Sequence, residues 1–413
     1  MKIVLAIDSF KGSLTSTEAG KAASEALHDI LPNCQTEIVP IADGGEGMLA
    51  VMLNTAGGKI HTLDAHNPCM EQANASYGIS IDGRTAFIEM AAISGLPLIT
   101  PDQRNPWETT TYGTGELILD ALKKGCTHII LGIGGSATND AGTGMLQALG
   151  FRFLDAEGKA LGQGGKILEG IAFIDTSHQH PLLKDVHFTV ACDVQNPFFG
   201  PDGAAYVYAR QKGADDPMIA QLDKGMRHFA EVVRSQTGCD ISYLPGSGAA
   251  GGMGGGIMAF LNAELKSGAD LLLDLSRFEE RIAKADLIIT GEGRMDRQSL
   301  MGKIPGKILE KGLSKSIPVV AIAGSIEDED ALLQAGFKGV YATKPENMPL
   351  EEAMKRETAV ENIKHVIHSL GKTIHNDAFS CHPEHREGSD YTHFMFTDFS
   401  DKVLNNSSSL CSE

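Results

Sequence analysis

IILGIGGSATNDAGTG, residues 129–144, begins as a short apolar strand and continues as a loop of small and polar residues. Ser136, Thr138, Asn139 and Asp140 lie in that loop, directly after the strand. In open α/β sheets, the carboxyl ends of the strands line the crevice in which ligands bind. The stretch therefore predicts an α/β fold with a ligand-binding loop at the end of a strand.

Four more apolar strands are followed by loops of this kind. The loop sequences are AIDSFKGS at 6–13, PIADGGEG at 40–47, ACDVQNP at 191–197 and TGEGRMDRQSLMGK at 290–303. Each loop places carboxylates, hydroxyls or a lysine where a strand ends. Glycine allows backbone N–H groups to approach an oxyanion closely, and the N-terminus of the next helix favours negative charge. Together the loops predict a site for a small anionic substrate and a phosphate.

Composition and charge narrow the class of protein. The chain has 413 residues, of which 42% are hydrophobic. A chain of this length is too long for one ordinary hydrophobic core, so we predict two α/β domains. A net charge of -18 argues against nucleic acid or an anionic membrane as a partner. Seven cysteines without a CxxC pair are typical of reduced thiols, and no apolar run reaches the ~20 residues that span a bilayer. We therefore expect a cytoplasmic protein.

The periodicity along the chain predicts the order of the elements. A strand over 3–7, a helix that starts at a Thr15–Glu18 capping box and a strand over 36–39 form one βαβ unit. Alternating segments around Asp82-Gly83 predict a β-hairpin. From Asp286 onward, a strand, a polar loop and a helix follow one another again. The two ends of the chain are thus similar in pattern, and the middle differs from them.

The C-terminal region differs from the rest. After a helix predicted over 350–371, the sequence loses its periodicity and ends in a polar run of Asn and Ser residues. Such a composition lacks the apolar residues that a packed core requires. We therefore predict that residues 374–413 form a disordered extension.

Six motifs occur in the order DSFKGS, ADGGEG, GIGGSATND, ACDVQNP, GAAGGMG and TGEGR. In this order they resemble the motifs of the type-1 glycerate kinase family, which transfers phosphate from ATP to D-glycerate. The resemblance extends from residue 1 to about residue 373. It implies a Rossmann- or flavodoxin-like parallel-sheet domain, formed by residues 1–65 and 286–373, into which a second α/β domain, residues 66–285, is inserted.

The resemblance also implies a reaction and its reactants. The chain is expected to be a kinase that uses ATP and Mg²⁺ and converts D-glycerate to 2-phosphoglycerate. The 3-phosphoglycerate product stays open, because the outcome depends on the sub-ångström placement of two neighbouring hydroxyls. Whether the chain forms a homo-oligomer also stays open.

Three residues are the candidates for the chemistry itself. Phosphoryl transfer needs cations on the transferred phosphate, Mg²⁺ held by carboxylates, and a base near the attacking hydroxyl. We predict that Lys11 contacts a phosphate or the substrate carboxylate, and that Asp193 and Asp296 bind the metal or act as the base. A solvated surface lysine and two helix-capping acids are the alternatives. Which acid is the base stays open.

The other candidate residues come from the same loops. For substrate binding they are Asp8, Ser9, Asp43, Glu46, Ser136, Asn139, Asp140 and Arg294. For nucleotide binding they are Gly248, Gly251, Gly252, Gly291, Gly293 and Lys303. For several of the acids, the alternative role is a turn or the N-cap of a helix.

An NAD(P)-dependent dehydrogenase of a small hydroxy acid is the alternative function. Gly132, Gly134 and Ala137 follow a strand, and Asp155 lies about 20 residues further on, as in a dinucleotide-binding fingerprint. The glycine run at 246–251 imitates the same pattern. Against this alternative, the chain places similar polar loops at five strand ends, whereas the fingerprint belongs to one βαβ unit. The P-loop motif GxxxxGK[ST] is absent from the sequence, which excludes a P-loop kinase.

Overall fold

The computed structural model describes residues 1–41, 49, 51–53 and 57–380, with side chains up to residue 374. The chain forms two compact units, Met1–Asp43 with Leu272–Glu413, and Gly44–Leu271. Compact units need not coincide with separately folding domains, so the domain limits near residues 65 and 286 stay a prediction. The candidates Asp43 and Glu46, and the predicted extension beyond residue 380, lie outside the described residues.

The secondary structure alternates between strands and helices in both units. The described strands are β1 Lys2–Ile7, β2 Gln35–Ile38, β3 Gly58–His66, β4 Gln72–Ser80, β5 Thr85–Glu89, β6 His128–Gly132, β7 Arg152–Leu154, β8 Phe173–Asp175, β9 His187–Ala191, β10 Glu264–Lys266, β11 Leu287–Met295, β12 Val319–Ile326 and β13 Gly339–Ala342. The described α-helices are α1 Ser16–Ile30, α2 Ala91–Ser94, α3 Tyr112–Lys123, α4 Thr143–Ala148, α5 Ala204–Tyr208, α6 Asp216–Thr237, α7 Ala249–Leu261, α8 Gly268–Leu275, α9 Phe278–Ile282, α10 Ile304–Ser314, α11 Glu329–Ala335, α12 Leu350–Ala353 and α13 Arg356–Ser380.

The first unit is built on a five-stranded sheet with the strand order β13-β12-β11-β1-β2. All four strand pairs of this sheet are parallel. Numbered along the unit, this is the flavodoxin-like order 2-1-3-4-5, whose topological switch point lies between the first and third strands. Here those strands are β1 and β11, so the fold predicts a ligand site at their carboxyl ends. The predicted α/β class with a flavodoxin-like sheet is confirmed.

Helices α1 and α13 pack together in the core of the first unit. The predicted capping box is confirmed, because Thr15 and Glu18 cap each other at the start of α1. The backbone N–H of Thr15, with help from Arg356 of α13, lowers the pKa of Glu18 to about 2. A second ion pair between these helices joins Glu25 and Lys364 at 2.6 Å. Burial and charge pairing therefore fix α1, which follows the loop that carries Lys11.

The structure corrects two predicted boundaries in the first unit. The TGEGR segment is not a loop, since β11 continues to Met295 and pairs with β12 as far as Ile326. The helix predicted over 350–371 is divided into α12 and α13, and α13 extends to Ser380. Ile374 is buried in the core, so the apolar stripe of this helix continues past the point where disorder was predicted.

The second unit contains a mixed six-stranded sheet with the order β10-β9-β6-β5-β4-β3. Strands β5, β6, β9 and β10 are parallel, and β3, β4 and β5 pair antiparallel. The hairpin predicted at Asp82-Gly83 is confirmed between β4 and β5, and Gly83 has a φ of 72°. The carboxyl ends of β6 and β9 lie side by side and carry the GGSATND and ACDVQNP segments. None of the described helices is long and apolar enough to cross a membrane.

Candidate functional site

The first unit has a cavity of about 540 Å³ at the topological switch point between β1 and β11. Its lining includes Asp8 and Lys11 after β1, and Glu292, Arg294 and Asp296 from β11 and the residue after it. The other predicted residues that line it are Ser9, Gly293 and Lys303. The fold therefore brings together around one cavity most of the site residues that were predicted in this unit.

Two carboxylates in this cavity are buried. Asp8 is 2% exposed and Glu292 is 8% exposed. Ile7 pairs with Gly291 across the two strands, and the Asp8 N–H donates to the Gly291 carbonyl oxygen at 2.8 Å. Asp8 comes directly after Ile7, and Glu292 comes directly after Gly291. The two acidic residues therefore lie at the same level of the sheet. Sequence reasoning missed Glu292, although it lies inside the TGEGR motif, because that motif was interpreted as a loop and not as a strand.

Asp296 combines a structural role with its place in the cavity. Its carboxylate accepts the Gln298 N–H at 2.8 Å and so caps the 3₁₀ helix Arg297–Leu300. Arg294 is exposed and donates to Glu327 at 2.6 Å, and its Nε lies 3.9 Å from the Asp296 carboxylate. The capping role that was the alternative for Asp296 is thus present. The cap uses the Oδ1 atom of Asp296, and the Oδ2 atom lies near the positive charge of Arg294.

The second unit has a cavity of about 440 Å³ at the carboxyl ends of β6 and β9. Of the predicted site residues, Ser136 and Asp193 line it. Asp193 is exposed, and its carboxylate accepts the N–H of Gly268 at the start of α8 at 2.8 Å. Tyr208 and the Ile133–Ser136 loop form other parts of the wall.

A buried lysine that sequence reasoning missed also lines the second cavity. Lys212 is 2% exposed, and its ammonium donates to the Ser136 hydroxyl and to the Thr138 carbonyl oxygen, both at 2.7 Å. Burial lowers the pKa of Lys212 from its ordinary value to about 7, and the charge of Asp140 opposes this effect. Little in the local sequence points to this lysine, because QKG at 211–213 follows no apolar strand.

Asn139 and Asp140 are completely buried. The Asp140 carboxylate accepts the N–H and the hydroxyl of Thr111, and the N–H groups of Gly142 and Gly144 at the start of α4. Burial raises the pKa of Asp140, and these hydrogen bonds oppose that rise. The Asn139 amide nitrogen lies 3.3 Å from the sulfur of Met226. Asp140 therefore holds the loop in place, and direct contact of Asn139 or Asp140 with substrate stays a prediction.

The glycine-rich segment at the start of α7 packs against the same loop, and residues 250–252 there have non-helical backbone angles. Gly251 has a φ of 68°, and a Cβ atom there would lie 2.1 Å from the Thr138 carbonyl oxygen. The Ala141 N–H also donates to the Gly251 carbonyl oxygen at 3.0 Å. Glycine is therefore required for the close approach of two backbones. A nucleotide contact by Gly248, Gly251 and Gly252 stays a prediction.

Gly291 lies within β11, beside the next strand of the sheet. A Cβ atom at Gly291 would lie 2.0 Å from the Ile322 carbonyl oxygen of β12. The absence of a side chain there is explained by the packing of the two strands. Gly293, two residues later, lines the first cavity, where a Cβ would have only ordinary contacts. The nucleotide roles of both glycines stay predictions.

The structure contradicts the dinucleotide-like fingerprint at Gly132–Ala137, on which the dehydrogenase alternative partly rested. β6 ends at Gly132, but the next helix begins only at Thr143, so the tight strand-to-helix turn of a dinucleotide fingerprint is absent there. Asp155 follows β7, which pairs with β8 in a separate two-stranded sheet and not with β6. Its carboxylate accepts two backbone N–H groups of its own turn. Asp155 therefore occupies a turn and not the ribose-binding end of a neighbouring parallel strand.

Comparison with known proteins identifies the family. Residues 3–375 match the sequence model of the glycerate kinase family. The chain is 45% identical to the glycerate 2-kinase of Escherichia coli K12 over 91% of this chain and 98% of that protein. It is 44% identical to a glycerate kinase of Bacillus cereus over 88% of this chain and 95% of that protein.

A solved structure agrees with these sequence matches. It is a crystal structure from Salmonella typhimurium LT2, assigned as a candidate glycerate kinase 2, with a TM-score of 0.83 and 42% identity. The similarity covers 92% of this chain and 99% of that one. None of these comparisons supports a dehydrogenase. The sequence match, the two α/β units and the structural similarity together show that this chain is a kinase that belongs to the glycerate kinase family.

Proposed function

We propose that this chain transfers the γ-phosphoryl group of ATP to D-glycerate and produces 2-phosphoglycerate. The observation that carries the proposal is the similarity, over nearly the full length of both chains, to a protein named glycerate 2-kinase. The same similarity favours position 2 over position 3 of the acceptor. We also propose that the enzyme works in the cytoplasm, where ATP is available. The described cysteines, residues 34, 69, 126, 192 and 239, are free thiols, which suits a reducing compartment.

The first cavity has the charges that nucleotide phosphates require. Lys11, Arg294 and Lys303 line it, and cations of this kind stabilise the charge of a transferring phosphoryl group. Lys303 immediately precedes α10, so the N-terminus of that helix adds backbone N–H groups and a positive dipole at the same wall. We therefore assign the phosphates of ATP to this cavity.

The carboxylates of the first cavity fit Mg²⁺. The ion prefers oxygen ligands, takes one or two protein carboxylates, and completes its shell with water and substrate phosphates. Asp296, together with the buried Asp8 and Glu292, supplies such oxygens beside the proposed phosphate site. Among the described residues, no three His, Cys, Asp or Glu side chains are grouped to hold a metal by themselves. When bound, Mg²⁺ would neutralise negative charge on the phosphates.

The second cavity suits the acceptor. It offers the Ser136 hydroxyl and the Asp193 carboxylate to a small polyhydroxy acid. Asp193 is exposed at the end of β9, so it is accessible to a substrate hydroxyl. We propose that Asp193 acts there as the base or as a further metal ligand.

One coupled assay tests the proposed function. The purified protein is incubated with ATP, Mg²⁺ and D-glycerate, ADP formation is followed, and the product is identified by phosphorus NMR. We expect ADP release that requires both D-glycerate and Mg²⁺, with 2-phosphoglycerate as the product. A 3-phosphoglycerate signal would overturn the position of transfer only. Absence of glycerate-dependent ADP release would overturn the proposed substrate.

A further inference from the structure

Lys212 is a buried cation whose direct partners are all neutral. Within the described part of the chain, the ammonium donates to one hydroxyl and one carbonyl oxygen, and it forms no ion pair with a carboxylate. A lysine ammonium has three donor hydrogens, so two contacts leave one. Burying a charge without a nearby opposite charge is costly. The structure thus holds a positive charge on a cavity wall without a protein anion to neutralise it.

Asp140 does not supply that anion by direct contact. Its carboxylate is occupied by the hydrogen bonds of Thr111, Gly142 and Gly144, which fix it to the start of α4. Its charge acts on Lys212 only through space. Asp193, the acid that lines the same cavity, is exposed and is held by Gly268. Among the described residues no carboxylate contacts the Lys212 ammonium, so an anionic ligand in the cavity would supply the opposite charge that is missing there.

We propose that Lys212 binds the carboxylate of the acceptor substrate in the cavity at the ends of β6 and β9. The inference rests on the proposed function, because it takes D-glycerate as the acceptor. Lys212 and Ser136 both line this cavity, and the ammonium donates to the Ser136 hydroxyl. A carboxylate placed there would receive a charge-assisted hydrogen bond from a buried ammonium, and such bonds are stronger than those between neutral groups. Lys212 then selects hydroxy acids over the corresponding neutral polyols and amides.

The variant Lys212→Met tests this role, because it keeps the length of the side chain and removes the charge. The readout is kcat/KM for D-glycerate and for its neutral amide, D-glyceramide, with KM for ATP measured alongside. We expect the variant to lose about a hundredfold in kcat/KM for D-glycerate, mainly through KM, in line with the loss of a hydrogen bond to a charged group. The value for D-glyceramide should change by less than about threefold.

The matched control is Lys224→Met. Lys224 lies on α6 with its side chain 70% exposed and paired with Glu169 at 2.5 Å. Its replacement should leave all kinetic constants unchanged. If Lys212→Met lowers activity equally for the acid and the amide, Lys212 only supports the fold, and the proposal is overturned. A rise in KM for ATP alone would place a phosphate and not the carboxylate at Lys212, and would also overturn it.

A measurement on the wild-type enzyme keeps the proposal testable if the variant does not fold. Because burial lowers the pKa of Lys212 to about 7, KM for D-glycerate should rise above that pH as the ammonium loses its proton. KM for D-glyceramide should not follow it. The other titratable groups that face Lys212 or share its cavity are Asp140, Asp193, Cys192 and Tyr208, and their titration should affect the acid and the amide alike.

The outcomes separate the two proposals. Parallel pH profiles for the acid and the amide would overturn the role of Lys212, while glycerate-dependent ADP release would leave the proposed function intact. Absence of that release in the wild-type enzyme would overturn the proposed function first, and the role of Lys212 with it.

Discussion

The two cavities have opposite arrangements of charge. In the first unit the acids Asp8 and Glu292 are buried, and the cations Lys11 and Arg294 are exposed. In the second unit the cation Lys212 is buried, and the acid Asp193 is exposed. Both cavities lie at the carboxyl ends of parallel strands, so the fold alone does not distinguish them.

The sign of the buried charge motivates a proposal for what each cavity binds. A charge in the interior needs compensation by an opposite charge or by strong hydrogen bonds. Buried carboxylates suit a ligand that brings a metal cation, and a buried ammonium suits a ligand that brings a carboxylate. We therefore propose that metal-bound phosphates bind in the first cavity and the hydroxy acid in the second, as the proposed kinase reaction requires.

The largest expected effect comes from removing one acid from each cavity. Asp296→Asn and Asp193→Asn each keep the shape of the side chain and remove its charge. If the residues bind metal or act as the base, each variant should lower kcat by about a hundredfold or more. Steady-state kinetics at saturating ATP and D-glycerate, repeated over a range of Mg²⁺ concentrations, distinguishes a metal ligand from a base, because extra Mg²⁺ partly restores only the former.

An acid that stabilises a β-turn outside both cavities provides the control. Asp82 is exposed in the β4–β5 turn and accepts the Arg84 N–H at 3.0 Å. Asp82→Asn should leave kcat within about twofold of the wild type, since surface substitutions away from a site have small effects. Near-normal kinetics in both Asp296→Asn and Asp193→Asn would reduce these acids to the capping roles that the structure already gives them. The contrast between the two cavities would then have no catalytic meaning.

A smaller effect is expected on stability, and it tests the buried cation of the second unit directly. The pKa of Lys212 is lowered by burial from 10.5 to about 7 in the folded chain. Between these values the unfolded chain binds a proton that the folded chain does not, so the free energy of unfolding should rise with pH from about 7 toward 10.5. The contribution of this group is on the order of a few kcal/mol over that range.

Urea unfolding at several pH values measures this contribution as a difference between two proteins. The wild type should gain stability relative to Lys212→Met as the pH rises above 7. Comparing the two proteins removes the titration of all other groups, provided that both unfold in one step. Identical pH profiles would mean that Lys212 keeps its ordinary pKa and stays charged and solvated in the folded chain, and the contrast in buried charge would be lost.

Sequence reasoning succeeded in locating residues next to the ends of strands that the fold brings around one cavity. The sheet of the first unit, its βαβ start and most of the residues around its cavity follow from apolar runs that stop at polar motifs. Glu292 was missed because strand pairing carries β11 through a glycine-containing motif that has the composition of a loop. Backbone pairing with β12 overrides the weak local preference of such residues.

Lys212 was missed for a different reason. It lies in a short 3₁₀ helix, Arg210–Lys212, which is distant in sequence from the loop that it contacts. Only the tertiary fold brings its ammonium to Ser136 and buries it there. A single sequence carries no sign of such a long-range contact, because a lysine among polar residues is normally a solvated surface residue.

The smallest expected effect concerns the end of the chain, and it asks whether the first cavity depends on residues beyond the described core. Helix α13 contributes Ala359 and Asn362 to the lining of that cavity, and its buried residues continue to Ile374. The family match ends at residue 375. We therefore expect a chain truncated after Ser380 to keep its unfolding temperature within about 2 °C and its KM for ATP within about twofold.

Thermal unfolding and steady-state kinetics check this prediction. Truncation after Lys355 is the destabilised control, because it removes all of α13. If the shorter deletion raised KM for ATP but left KM for D-glycerate unchanged, residues 381–413 would act on the first cavity alone, and the comparison of the two cavities would have to include them.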